Sequence, residues 1–414
     1  MPNQKSKMSK LRRAETVFLF LTLLFLPTQL GKHFWPHFSY IYSLKIDYLS
    51  PVLYLWDLSV IGLLIVWILS RPAVNKSALN LLLLFLLTQV LSLLGADNPG
   101  AGLVRLEQYL VAGSFGLFLA SQDFKGLLKR IYWPLGLGIL GESVIGILQF
   151  IKGGSIGFWI LGERAFNIST PGIAKFDFYG RQFLRPYATF PHPNVLAGFV
   201  LIGISIIYQV IGKSHGLARL ALVFGGITVF FAMSRVAILV GLILTALFVK
   251  RKWLIGLGLL ILLLSPVLFT RFSSLFNFDN LTLLRREEQI GAALQIFLKY
   301  PVAGVGLNNF IPTIANDLTV GPSRFLQPVH NIFLLALSET GLVGLGGLVI
   351  LIGFPLVKLF QLHAIRPTLF SILMSWLIIL FLGMFDHYLL TLPQGYRLLF
   401  LVWGVTLSRS FSPS

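Results

Sequence analysis

The chain has no cysteine, which excludes disulfides, thiolate-bound zinc, iron–sulfur clusters and a cysteine nucleophile together and argues against redox chemistry. Charge is scarce as well. Only 12% of the 414 residues are charged, against about a quarter in an ordinary soluble domain. Acidic residues are the scarcest, with 15 Asp and Glu against 33 Lys and Arg and a net charge of +18. What fills the chain is apolar: 56% of residues are hydrophobic and the mean hydropathy is +0.83. That composition belongs in a bilayer. The positive charge is therefore first a matter of membrane topology, and nucleic acid is not expected as a partner.

Twelve apolar runs read as candidate helical spans: 17–30, 51–70, 78–95, 101–120, 131–150, 194–211, 217–233, 236–249, 253–270, 331–357, 367–385 and 396–408. At roughly 20 residues per span they use about 240 residues and leave about 174 for tails and connections, too few for a separate soluble domain of normal size. Residues 1–414 are thus expected to form one all-α polytopic membrane domain of about 12 transmembrane helices. The basic tail 1–13 resembles the start of a signal peptide, but no small-residue cleavage site follows the first apolar run, so that run reads as an uncleaved span.

With a cytoplasmic N-terminus, the C-terminus is cytoplasmic too, and the short inner segments 1–16, 71–77, 121–130, 212–219, 250–252, 358–366 and 409–414 hold 18 of the 33 basic residues. That obeys the positive-inside rule. Ten of the others fall in two long external loops, 151–193 and 271–330, which the rule exempts. Those ten are available to bind an anionic substrate or the headgroups of anionic lipids. The first loop is rich in Gly, Pro and aromatics and is expected to be irregular. The second contains a short amphipathic helix with Leu283, Ile290, Leu294 and Phe297 on one face, stopped at Tyr300-Pro301, and Arg285, Arg286, Glu287 and Glu288 in its first two turns. No internal repeat is visible.

Several familiar signatures fail. Gly212-Lys213-Ser214 matches the end of a phosphate-binding loop, but Ile207 occupies the required first glycine. Gly304-Val305-Gly306 is followed by Asn309 where a dinucleotide fingerprint needs glycine, and reads as a turn after the loop helix. HExxH and Asp-x-Asp are absent, which disfavours a sugar-nucleotide enzyme. Asn167-Ile168-Ser169 and Asn280-Leu281-Thr282 match glycosylation sequons of a kind common by chance.

Four segments survive. In Arg185-Pro-Tyr-Ala-Thr-Phe-Pro-His-Pro-Asn194 the prolines stiffen the approach to the next span, Asn194 is a good N-cap, and Arg185 is a permanent cation at the membrane boundary. Ser234-Arg235 forms the tight external turn of a helical hairpin, where Arg235 either snorkels to headgroups or serves the site. In Gln327-Pro-Val-His-Asn-Ile-Phe-Leu334, His330 sits at the mouth of a span with a side chain suited to base catalysis or to interfacial anchoring. Glu339 lies roughly 13 Å deeper on the same helix, better placed to hold a polar network than to orient His330. Pro301-Val-Ala-Gly-Val-Gly-Leu-Asn-Asn-Phe310 turns the chain sharply and exposes backbone amides.

These segments occur in order with spans between them, and as a set, over about 180–385, they resemble the O-antigen ligase and O-antigen polymerase family of bacterial membrane glycosyltransferases. Asp386-His387-Tyr388 looks like a variant found in some members, whereas His192 stands where many relatives carry Asn. The resemblance implies transfer of a glycan from undecaprenyl diphosphate to an acceptor hydroxyl at the external face of the bacterial plasma membrane, in lipopolysaccharide or other cell-envelope polysaccharide synthesis. It implies His330 as the base, with Asn331 beside it. Arg185, Arg235 and either Arg285 or Arg286 would bind the diphosphate, with Asn194 and Glu339 in support. Acceptors would be a glycolipid, glycan or protein. Cationic stabilisation of the departing diphosphate needs no metal and no cofactor, so none is expected.

The sequence leaves ligase and polymerase open. A transporter of about 12 spans is the reading from a different class, with Asp57, Glu107 and Glu142 within candidate spans as its markers. A metal site is a third reading and needs His192, His330, Asp386 and His387 to converge.

Overall fold

A backbone that crosses hydrocarbon must satisfy its own hydrogen bonds, and a helix does so within one segment. The apolar runs are accordingly helical in the computed structural model, which describes residues 2–208, 216–248, 254–273, 281–315, 326–363 and 368–409. The N-terminal helices are α1 (Pro2–Leu24), α2 (Leu55–Leu69), α3 (Lys76–Ser92), α4 (Pro99–Ala120) and α5 (Phe124–Lys152). After a long connection come α6 (Pro193–Ile207), α7 (Gly216–Phe231), α8 (Arg235–Phe248) and α9 (Leu254–Ser273). The last group is α10 (Leu281–Lys299), α11 (Phe310–Ile314), α12 (Ile332–His363), α13 (Thr368–Phe385), α14 (Tyr388–Thr391) and α15 (Pro393–Thr406).

A helix underlies each of the twelve apolar runs. By length and composition, five helices among the described residues can cross a membrane: Lys76–Gly95, Pro99–Ala120, Phe124–Lys152, Leu254–Ser273 and Ile332–Gln361. α2, α6, α7, α8 and α13 are apolar but shorter. α4 packs on α15, α5 on α7, α1 on α2, α12 on α3 and α13 on α6. The centre is filled by Trp56, Phe115, Phe118, Phe199, Trp376, Phe400 and Trp403, all fully buried. α9 buries none of its side chains, and Leu259, Leu262, Leu263 and Phe269 stand exposed along it, as a lipid-facing helix requires.

The connections gather at the two ends of the bundle. At one end Arg130 pairs with Glu15 at 2.9 Å, the Asn75 amide donates to the Leu407 carbonyl at 2.8 Å, and Arg409 N–H donates to the Gln122 carbonyl. At the other, Gln29 donates to the Thr189 carbonyl at 2.6 Å, Gln394 to the Pro27 carbonyl at 3.1 Å, and Asn308 to the Tyr48 carbonyl at 3.0 Å. This second end collects the connections around 25–54, 153–192, 300–315, 326–331 and 386–392.

Three departures from a purely helical expectation lie there. Strands β1 (Gly31–His33) and β4 (Val52–Tyr54) pair, as do β2 (Tyr40–Ile41) and β3 (Leu44–Lys45). The connection expected to be irregular contains a hairpin of β5 (Lys175–Phe178) and β6 (Arg181–Leu184). Its turn is built for the purpose: Tyr179 and Gly180 both take positive φ, as a two-residue hairpin loop needs, and Gly180 N–H donates to the Asp177 carboxylate at 3.0 Å. Phe176 and Phe183 stack across the pair with centroids 5.3 Å apart and pack on Phe150 of α5.

The amphipathic helix is present as α10, but rotated from the expected face. Gln289, Ala293 and Ile296 are buried, whereas Ile290 and Leu294 are exposed. An apolar stripe beside a bilayer has lipid to face, so it need not be the buried one. α9 also continues two residues past the start assigned to the second loop. Gly212-Lys213-Ser214 and Asn280 lie outside the described residues.

α12 is not continuous. Gly341 adopts φ 62 and ψ −164, a conformation open essentially to glycine alone. The turn after α10 fills the break: Val305 and Gly306 N–H donate to the Ser338 and Glu339 carbonyls at 3.1 and 2.8 Å, and Leu342 and Val343 N–H donate back to Pro301 and Val302 at 2.9 and 3.2 Å. The amides of Val305 and Gly306 are thus taken up by the helix break and not exposed. A Cβ on Gly341 would strike the Val302 carbonyl. Gly341→Ala is therefore expected to cost on the order of 1–3 kcal/mol and lower the thermal midpoint in detergent. Gly346→Ala on the same helix, where the space is open, should leave the midpoint unchanged; equal midpoints for both variants would remove the locked break.

Candidate active site

α5 positions the first part of the site. Glu142 accepts from Thr189 N–H at 3.0 Å and Thr189 Oγ1 at 2.8 Å. One face further along, Gln149 accepts from Tyr187 and Ala188 N–H at 2.9 and 2.7 Å. Gln149 is itself held by Glu163, 2.8 Å away, whose carboxylate also takes Ile156, Gly157 and Phe158 N–H. These buried acceptors clamp the strap 185–190 by its backbone, which fixes where Arg185 and Asn194 emerge.

Arg185 is only 7% exposed. Its Nε donates to the Ala232 carbonyl at 2.6 Å and its Nη2 to Asn194 Oδ1 at 2.7 Å. The Asn194 amide donates onward to Asp386 Oδ2 at 2.9 Å. Asn194 is therefore not the N-cap of α6. His192 is, accepting from Asn194 N–H at 3.1 Å through Nδ1, and the helix starts at Pro193. Pro193 takes the first helical position with no N–H to satisfy, so the cap moves one step back and releases the Asn194 side chain.

Arg235 stands at the hairpin turn as expected, first residue of α8, after Met233 with φ 47. Its Nε donates to the Arg271 carbonyl at 3.0 Å, and Arg271 Nε donates to the Met233 carbonyl at 2.7 Å. Arg271, at the end of α9, feels the charges of both Arg185 and Arg235. Of the two neighbouring arginines on α10, it is Arg286 whose charge reaches Arg185, His192, Arg235, His330 and His387. Successive helix residues point about 100° apart, and Arg286 shares its face with Gln289, three positions on. Its buried Nε has no partner among the described residues.

His330 closes the segment before α12. Asn331 caps that helix, accepting from Phe333 and Leu334 N–H at 2.9 and 3.0 Å, and donates to the Met384 carbonyl at 3.1 Å. The His330 ring meets Gln289 Oε1 through Nδ1 at 3.0 Å and lies edge-on to His387, with centroids 5.0 Å apart. His387, 4% exposed, bonds Thr391 Oγ1 at 2.6 Å and contacts Tyr48 edge-on. Its N–H donates to Asp386 Oδ1 at 2.8 Å. Glu339 does not join this group; it accepts from Phe310 N–H at 3.2 Å and holds the turn in the α12 break.

His330, Asp386 and His387 each offer a ligand atom, all within 4.8 Å of one another, a spacing that a metal ion could use. His192 is not in this set; its Nδ1 caps α6. The Arg185 and Arg286 charges beside these imidazoles work against a cation and favour an anion.

Shielding from water dominates the electrostatics. It lowers His330 to about 4, with Asp386 opposing and Arg286 reinforcing. It lowers His192 and His387 to about 3, and Arg185 to about 10 with Arg235 and Arg286 adding to the effect. The same shielding pushes Asp386 up, but His387, His330, His192 and the Asn194 amide together hold it down at about 2. At neutral pH the site is a set of neutral imidazoles around one carboxylate, with arginines on the rim.

Gln289 and Arg271 were not among the sequence-derived site residues, and Asp386 and His387 entered there only through the Asp386-His387-Tyr388 variant and the metal reading. For Gln289 the signal existed: it lies three residues after Arg286 on a helix.

Because the imidazoles take up protons more readily unfolded, near 6.5, than folded, stability is full above about 6.5 and falls as pH drops towards 4. Thermal midpoints in detergent at stepped pH check this. His387→Gln should flatten the slope, and a wild-type midpoint constant from pH 7 to 4.5 would contradict it.

Residues 220–349 match the family profile described as O-Antigen ligase. The match includes Arg235, Arg286, Gln289 and His330, while Arg185, Asn194 and Asp386 lie outside it. The match spans about a third of the chain and supports a likeness to the O-antigen ligase/polymerase family. No curated protein matches the chain. A solved chain from a structure described as "Structural coordination of polymerization and crosslinking by a peptidoglycan synthase complex" is 18% identical, covering 80% of this chain and 98% of its own, with a TM-score of 0.39. A likeness of that degree carries no argument.

Proposed function

We propose that this protein transfers a glycan from undecaprenyl diphosphate to an acceptor hydroxyl at the external face of the plasma membrane, by a single inverting displacement that needs no metal. The observation that carries the reading is the convergence of His330 and Asp386 with Arg185 and Arg286, from four separate parts of the chain, at one loop-rich end of a membrane bundle. The end bearing 1–16, 71–77, 121–130 and 409 would face the cytoplasm.

In this mechanism neutral His330 takes the proton of the acceptor hydroxyl as its oxygen attacks C1 of the donor sugar. The C1–O bond to phosphate breaks with its electron pair passing to the diphosphate. Arg185, Arg235 and Arg286 meet that developing charge, as preorganised cations do most effectively in a site shielded from water. Asp386 remains ionised and offsets the imidazolium formed on His330. Asn331 caps the helix that follows His330, Asn194 ties Arg185 to Asp386, and Glu339 supports the turn behind them. A ligase and a polymerase of lipid-linked repeats would share all of this and differ only in the acceptor.

The test is transfer from a polyprenyl-diphosphate-linked glycan to its native acceptor, with and without a chelator, for folded variants. His330→Ala should lose roughly 10²–10⁴ in rate, the usual size of a general-base contribution. Arg286→Ala should lose donor binding together with roughly 10²–10³ in rate, whereas Arg285→Ala should keep most of both. Full transfer by His330→Ala removes the base, and loss of transfer on chelation replaces the arginine clamp with a metal site.

A further inference from the structure

Beyond the groups that would touch substrate, we propose that Gln289 is the positioning residue of this site, locking His330 as the Nδ1–H tautomer so that Nε2 is the base nitrogen. The proposal rests on His330 being the base. Gln289 is 1% exposed, and both ends of its amide are engaged. Its Nε2 donates to the Gln327 carbonyl at 3.0 Å. A carbonyl can only accept, so the NH₂ must face Gln327 and the oxygen must face His330. That oxygen lies 3.0 Å from Nδ1 and can also only accept, so Nδ1 carries the proton. A neutral imidazole has one N–H, and the lone pair is therefore on Nε2. The residue that orients the amide, Gln327, belongs to the same segment as His330, so the tautomer is set by a closed loop of contacts.

Glutamine suits this place better than a carboxylate does. A Glu would fix the same tautomer and raise the basicity of the ring, but it would put a negative charge three residues from Arg286 on one helix face, where the anionic donor must bind. An amide orients without adding charge. It also places the base-orienting group and a diphosphate-binding group on one rigid element, so α10 delivers both or neither.

The experiment uses full-length protein in nanodiscs, labelled with ¹⁵N-histidine, the His330 resonances being those missing in His330→Ala. At pH 7 wild type should show a protonated Nδ1 and an unprotonated Nε2, and Gln289→Leu a mixture of tautomers. In the transfer assay Gln289→Leu should lose roughly 10–100-fold in kcat, typical of removing a partner that orients a histidine, with donor KM within about twofold of wild type. Gln289→Glu, which fixes the same tautomer but turns an oxygen towards the Gln327 carbonyl and adds charge beside the donor, should recover part of kcat with a raised donor KM, and should move the acidic limb of the kcat–pH profile to higher pH, because a carboxylate stabilises the imidazolium. Identical tautomer ratios in wild type and Gln289→Leu overturn the proposal, as does an unshifted acidic limb in Gln289→Glu if the Leu variant does not fold. Full transfer by His330→Ala would instead sink the base assignment, leaving the tautomer measurement to judge Gln289 by itself.

Discussion

The Asn194 side chain holds Arg185 with its oxygen and Asp386 with its amide, joining groups 9 and 192 residues away in sequence. Most of the site depends on that one bridge. An ionised carboxylate shielded from water is costly unless its oxygens are satisfied. Asp386 meets that condition with the Asn194 amide on one oxygen and the His387 N–H on the other. Only then can it stand beside three imidazoles without taking a proton. Arg185 in turn owes its position to the same amide and to one backbone carbonyl, so the geometry of cation and carboxylate is shared. The strap that delivers them is gripped by Glu142 and Gln149 of α5, which is how a connection rich in glycine and proline becomes rigid at the point of use.

This accounting bears on the transport reading. Glu142, one of its markers, is consumed by Thr189 of the strap. Asp57 accepts the Tyr54 N–H at 2.7 Å and pairs with Arg397 at 3.6 Å, with the guanidinium stacked over Tyr54 and Trp56. The broken helix, a feature of transporters, has its freed backbone groups bonded by the 301–306 turn. Two of the three markers of a transport pathway, Asp57 and Glu142, thus have a structural use here.

Much of this was legible in the sequence because bilayer crossing imposes long apolar runs, and every one of those runs became a helix. Arg185, Arg235, the pair Arg285 and Arg286, and His330 could be singled out because a charge or imidazole between spans has few neighbours to explain it. What escaped were properties of contact between distant segments. Nothing near Asn194 reveals that Asp386 will accept its amide; local capping rules pointed to the N-cap, and Pro193 moved the cap to His192. Gln289 was hidden by the reading of the α10 face, since Ile290 and Leu294 outweigh a glutamine in any apolar pattern while lipid, not protein, takes that side. The β5–β6 hairpin was masked by the glycines and prolines around it, although Lys-Phe-Asp-Phe alternates with period two. The α12 break could not be read from Gly341 alone, because its cause lies in Gly304 and the turn that presses into it.

A histidine held near 4 is neutral but intrinsically a weak base. On the proposed reaction the donor itself corrects this. The free site places Arg286 near His330, where its charge adds to the shielding from water that disfavours the imidazolium, while Arg185 stands on the other side of Asp386, tied to it through Asn194. A bound diphosphate neutralises those arginines and brings its own negative charge into a region shielded from water, where such interactions are strong. Both changes raise the proton affinity of Nε2. Base strength would then appear only with the donor in place, while the tautomer needed for proton transfer is set beforehand by Gln289. An empty site keeps its imidazoles unprotonated and so adds no further positive charge to a recess already lined with arginine. Shielding from water and the Arg286 charge together thereby hold the base in reserve until there is a leaving group for it to serve.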